Sequence, residues 1–205
     1  MTVRFYLAKV LRFNNIFIWC KLVNAIMDKI PIKKISKNIY QQKGFPSGPF
    51  NACLTCKCGK TRKGGACCEE GVYVDKKSYD FIIKHKKYFE QKIGIKIEKC
   101  FDKRWPKDPE YLGKKGICTR LKNGTCIFRA RSGQGCEIIS YVLKKDLPRR
   151  MIPSACRVYP VTWDKEKLFV EKIKKNCICI DKKNKTKKSI YETQKSEIED
   201  IFSFE

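Results

Sequence analysis

Five cysteines, Cys53, Cys56, Cys58, Cys67 and Cys68, fall within the string CLTCKCGKTRKGGACC. Thiolates this dense, spaced by glycine and lysine, suit a soft metal, because sulfur binds zinc or iron tightly and short spacers let neighbouring sulfurs reach one ion without strain. The chain of 205 residues holds 13 Cys but a single His, so any metal site here is essentially all-sulfur. That leaves zinc held by four thiolates or an iron–sulfur cluster. Glu69 and Glu70 could complete a site, but as harder oxygen ligands they are second choices. The adjacent side chains of Cys67 and Cys68 diverge in most backbone conformations. That suits two metals, one buried non-ligand, or a cluster with several iron atoms.

The missing sulfurs come from downstream. Cys126 and Cys136 are joined by a hairpin-like segment, Cys156 leaves a Pro-bounded loop, and Cys177 ends a strand. Cys100 and Cys118 read as structural thiols, and Cys20 as a small buried hydrophobe. Asn123-Gly124 is a two-residue hairpin turn that would pair Leu121 with Cys126 and Cys118 with Arg129, leaving Cys118 and Cys126 on opposite faces. Several chemistries are excluded. There is no CxxC…HxxxH finger, no second CxxC for a zinc ribbon, no phosphate loop and no dinucleotide fingerprint. His85 lies in a lysine-rich helix, so no His-dependent nucleophile can be built and no catalytic residue is named.

Length and an apolar content of 42% support one domain with appendages. The most apolar stretch, Phe13 to Cys20, is too short to span a bilayer, and Lys9, Arg12 and Lys21 break it as a signal peptide. A reducing, cytoplasmic setting follows, where clustered cysteines bind metal more often than they form disulfides. The net charge of +25 offers an acidic protein, nucleic acid or an acidic membrane surface as partner. Lys is spread along the whole chain and Arg is scarce, so the charge reads first as a solvated surface.

Three regions are expected. Residues 1–43 form a basic helical N-terminal extension, stopped before Pro31. Residues 44–180 form the cysteine-cluster metal-binding domain, entered through a Gly/Pro-rich loop. Residues 181–205 form a charged, frayed helical tail. Within the domain, Asp75 caps a helix to about Lys92 with Tyr79, Ile82, Ile83, Phe89 and Ile93 facing the core. Residues 94–101 alternate like a strand. A helix covers about Glu137 to Lys145, and a second hairpin turns at Asp164–Lys167.

Three motifs, CLTCKCGKTRKGGACCEEGVYVD, NGTCIFRARSGQGCEI and IPSACRVYPV, resemble the YkgJ-like cysteine-cluster family, a zinc- or iron-chelating domain. The similarity covers roughly residues 50–180. It implies metal ligands at Cys53, Cys56, Cys67, Cys68, Cys126, Cys136 and Cys156, with Arg157 hydrogen-bonding to metal-bound sulfur or a ligand loop. A long insert between Cys56 and Cys67 and the extra Cys58 depart from the pattern and leave Cys56 and Cys58 competing for the second position. The implied fold is a small, irregular, metal-organised α+β domain with short hairpins and a few helices, preceded here by the basic N-terminal helix. The expected function is a metal-binding protein with an all-cysteine zinc or iron–sulfur centre. Some members of the family are called flagellin lysine N-methylases, so a protein-lysine N-methylase is the alternative, although no glycine-rich S-adenosylmethionine motif is present. A basic nucleic-acid-binding protein is the third reading.

Overall fold

A computed structural model of the protein describes residues 29–46, 48–56, 68–132, 134–171 and 179–205. Of the basic helical extension expected over residues 1–43, residues 1–28 lie outside them, as do Cys58, Cys67 and Cys177. In chain order, β1 (Ile30–Ile32) and β2 (Lys34–Ile35) lead into α1 (Asn38–Gln41) and α2 (Pro49–Thr55). β3 (Tyr73–Asp75) runs straight into α3 (Lys76–Lys84) and α4 (Lys86–Ile93). Three short strands, β4 (Gly116–Cys118), β5 (Leu121–Lys122) and β6 (Thr125–Cys126), precede α5 (Glu137–Lys144) and α6 (Ser154–Val158). The chain closes with β7 (Val161–Asp164), β8 (Lys167–Val170), α7 (Ile190–Ile201) and β9 (Phe202–Phe204). This is an irregular α+β architecture of small sheets and short helices.

Two hydrophobic cores organise it. The first gathers Val74, Ile82, Phe89, Phe101, Phe128, Ile139 and Met151 around α3, α4 and α5. The second gathers Ile32, Ile39, Val158, Leu168, Ile190, Ile198 and Phe202. Between them sits α6. Successive helical residues point about 100° apart, so its neighbours serve different surroundings: Cys156 packs on the first core, Arg157 faces α7, and Val158 enters the second core.

The local chemistry explains most elements. Asp75 caps α3 by accepting from the Ser78 N–H and hydroxyl, both at 3.0 Å. The single helix expected to Lys92 is instead two, broken at His85, and the bend brings Phe89 and Ile93 into the core. His85 flanks that core and meets the Tyr141 hydroxyl at 2.9 Å. The strand expected over residues 94–101 is replaced by a 3₁₀ turn, Ile97–Cys100. Ile97 and Cys100 are both fully buried, and a spacing of three puts them on one face of a 3₁₀ turn but on opposite faces of a strand. The Asn123-Gly124 turn has both residues at positive φ and sets Leu121 opposite Cys126 as expected. The ladder stops after two pairs, however, and Cys118 pairs with Tyr73 of β3 rather than with Arg129. The hairpin of β7 and β8 turns at Lys165 and Glu166 as predicted.

The C-terminal residues depart from the expected frayed tail. Ser189 and Glu192 form a reciprocal capping box at the start of α7, and Ile190, Ile198 and Ile201 are buried. β9 then pairs in parallel with β1, Ile30 opposite Phe202. The acidic stretch is held because its charges meet arginines: Glu197 and Asp200 bind Arg149, Arg150 and Arg157. Among the described residues, no helix is long and apolar enough to cross a membrane.

Candidate metal centre

Four sulfurs from four separate segments line one small cavity. They are Cys68, Cys126 at the end of β6, Cys136 at the N-cap of α5, and Cys156 on α6. The cavity holds about 20 Å³, and its remaining walls are apolar apart from Arg129, with Phe128, Ile139 and Ile152 among them. Cys53 packs against the same core beside Cys156. Two glycines make this convergence possible. Gly135, at φ +81°, lets the turn before Cys136 approach the Leu54 carbonyl, where an added Cβ would stand at 3.0 Å. Gly71, at φ +75°, brings the Cys68 segment against Thr119, whose carbonyl would lie 2.7 Å from a Cβ. The Cys126 N–H donates to the Cys68 carbonyl, tying these two cysteine-bearing segments together.

The surroundings act on each sulfur. Burial pushes the Cys136 thiol up to about 12, and its neighbours Cys68 and Cys126 push in the same direction. Opposing them, backbone N–H groups of Ile139 and Ile138 at the start of α5 favour its thiolate. Burial raises Cys126 to about 11, against hydrogen bonds from Thr119, 3.3 Å away, and from the Phe128 backbone. Cys156 is raised well above its ordinary value by burial and then by Cys136, Cys68, Cys126 and Cys53. Burial thus makes Cys126, Cys136 and Cys156 hold their protons more tightly than an ordinary cysteine, and a soft cation entering the cavity must displace those protons. Arg129 brings a positive charge to the edge of the group. It donates to the Cys56 carbonyl at 2.8 Å and approaches the Cys56 sulfur at 4.0 Å. Burial opposes its charge, but the Cys68 and Cys56 sulfurs outweigh it and leave the guanidinium pKa raised.

The expected ligands thus separate. Cys68, Cys126, Cys136 and Cys156 share the cavity. Cys53 stands beside them, and Cys56 lies apart with Ala52 and Cys179 in a third buried cluster. Cys58, Cys67 and Cys177 fall outside the described residues. Cys100 and Cys118, read as structural, do not line the cavity. No disulfide joins the nine cysteines among the described residues. Nor, among those residues, do any three Cys, His, Asp or Glu side chains already stand in the geometry of a bound ion. The donor set still fits a soft metal in type: sulfurs in a dry cleft, N–H groups aimed at them, and a guanidinium beside them.

One expectation needs correction. Arg157 does not reach a sulfur. Its guanidinium binds Glu197 at 2.7 Å and Asp200 at 2.6 Å, because α6 turns it away from Cys156 and toward α7. The arginine facing sulfur is Arg129, which residue order places only in a hairpin pair. Residue order also misses Cys179 as a neighbour of Cys56: its CxC spacing to Cys177 is visible in the chain, but its burial against Cys56 depends on a contact between distant segments. Comparison with models of known families, with curated proteins and with solved structures found no match.

Proposed function

We propose that this chain is a metal-binding protein whose all-cysteine centre is built from Cys68, Cys126, Cys136 and Cys156. The single observation that carries this reading is that these four sulfurs, distant in sequence, line one cleft. The hydrogen-bond donors around Cys126 and Cys136 support it, since N–H and hydroxyl groups stabilise thiolates once protons have left. The motif resemblance to the YkgJ-like family supports the same residues. A cavity of about 20 Å³ has room for one water-sized guest, which favours a single ion over a multi-iron cluster. Zinc is then the cation that four thiolates suit best, an iron–sulfur cluster being the alternative. The chemistry such an ion supplies is structural, locking the Cys68 segment, the β5–β6 hairpin and the two helices into one unit. The thiols, none of them in a disulfide among the described residues, accord with a reducing, cytoplasmic setting.

Elemental analysis of protein purified without added metal tests the proposal. The expected result is about one zinc per chain and no visible absorption. A brown protein with broad visible absorption assigns iron–sulfur instead. A folded protein devoid of metal overturns the proposal.

A further inference from the structure

A second cavity, of about 610 Å³, opens on the other side of α6. Its size lies within the roughly 300–1,000 Å³ typical of small-molecule sites. Its walls are mostly apolar, with Trp105 and Leu112 among them. Trp105 is braced edge-on by Tyr79 at 5.0 Å between centroids, so this wall is preorganised. The polar lining is chiefly cationic: Lys76, Lys77, Lys115, Arg150 and Arg157 against Asp75 and Asp200.

The carboxylates here are committed. Asp75 caps α3, while Asp200 is shared by Arg150 at 2.8 Å and Arg157 at 2.6 Å. Glu197 offsets Arg157 from behind, and Asp80 pairs with Lys76 at 2.5 Å. Lys115 is exposed and forms no ion pair among the described residues. The pocket therefore combines a rigid apolar wall with a surplus of positive charge at its mouth.

We propose that this pocket binds a small organic anion with a flat apolar body, the body lying against Trp105 and Leu112 and the acidic group meeting Lys115. The inference is independent of metal at the sulfur centre. An apolar surface alone would take a neutral molecule equally well; the charge surplus selects the anion, because an acidic group gains a charge-assisted contact there.

Fluorescence titration tests this with two probes sharing one ring system, anilinonaphthalenesulfonate and its uncharged parent phenylnaphthylamine. The protein is expected to bind the sulfonate at one saturable site and more tightly than the neutral probe. Lys115→Glu, at an exposed position, is expected to weaken the sulfonate by about tenfold or more and to leave the neutral probe unchanged. Trp105→Ala is expected to weaken both probes, with near-ultraviolet circular dichroism confirming that it folds. A sulfonate titration that does not saturate, or one that Lys115→Glu leaves unaltered, overturns the proposal.

Discussion

Cysteines that look alike in the chain differ in what surrounds each sulfur. Cys100 is fully buried, its sulfur 3.7 Å from the Lys96 carbonyl. Cys136 is met by backbone N–H groups at a helix start and by other thiols. Replacing Cys68, Cys126, Cys136 or Cys156 by Ser should strip most of the metal from the purified protein. Cys100→Ser and Cys118→Ser should keep it, as read by elemental analysis of each variant. Gly135 gives a second test at this scale. Its φ of +81° and the Leu54 carbonyl, 3.0 Å from where a Cβ would stand, leave no room for a side chain. Gly135→Ala should cost more than about 1 kcal/mol in urea unfolding, because it pushes the turn before Cys136 off the Cys53–Leu54 backbone.

Among the elements, helix ends and one ion-pair cluster dominate. Asp75 and Ser189 each satisfy backbone donors at a helix start, so Asp75→Ala and Ser189→Ala should each cost about 1 kcal/mol in the same assay. The exposed pair of Lys76 and Asp80 should by contrast contribute little. The cluster joining α6 to α7 is different in kind. Arg157 and Glu197 have side chains only 4% and 5% exposed, and Glu197 also accepts from Arg149 at 2.6 Å. Glu197→Ala leaves a buried guanidinium short of its partner and should cost about 3 kcal/mol. Since α6 also carries Cys156, that variant should lower metal content as well as stability, measured side by side on one preparation.

Across the whole molecule, acid should act through the same cluster. Burial pushes the Asp200 carboxyl pKa up, but hydrogen bonds from Arg150 and Arg157 outweigh it and leave it lowered. A carboxylate with a lowered folded value adds stability above its unfolded pKa of about 3.9, and that stability is lost as pH falls through the folded value. Asp200→Asn should therefore flatten the acid arm of a stability curve taken between about pH 5 and pH 2, the difference from the parent protein vanishing at the acid end. Much of the fold is legible from residue order, because its signals are local. The Asn123-Gly124 turn, the Asp75 cap, the helix after Cys136 and the hairpin at Lys165 and Glu166 each follow from residues within a few positions of one another. The strand expected over residues 94–101 and the unbroken helix through His85 fail because core packing overrides a local pattern. By itself the chain determined that any centre would be all-sulfur, having 13 Cys and one His, and which turns would carry the cysteines toward one another. Only the tertiary structure decided which sulfurs meet, that Arg129 rather than Arg157 faces them, and that the last residues close a core. These outcomes depend on contacts between segments tens of residues apart, where side-chain volume and buried charge select the partner and no local periodicity records the choice.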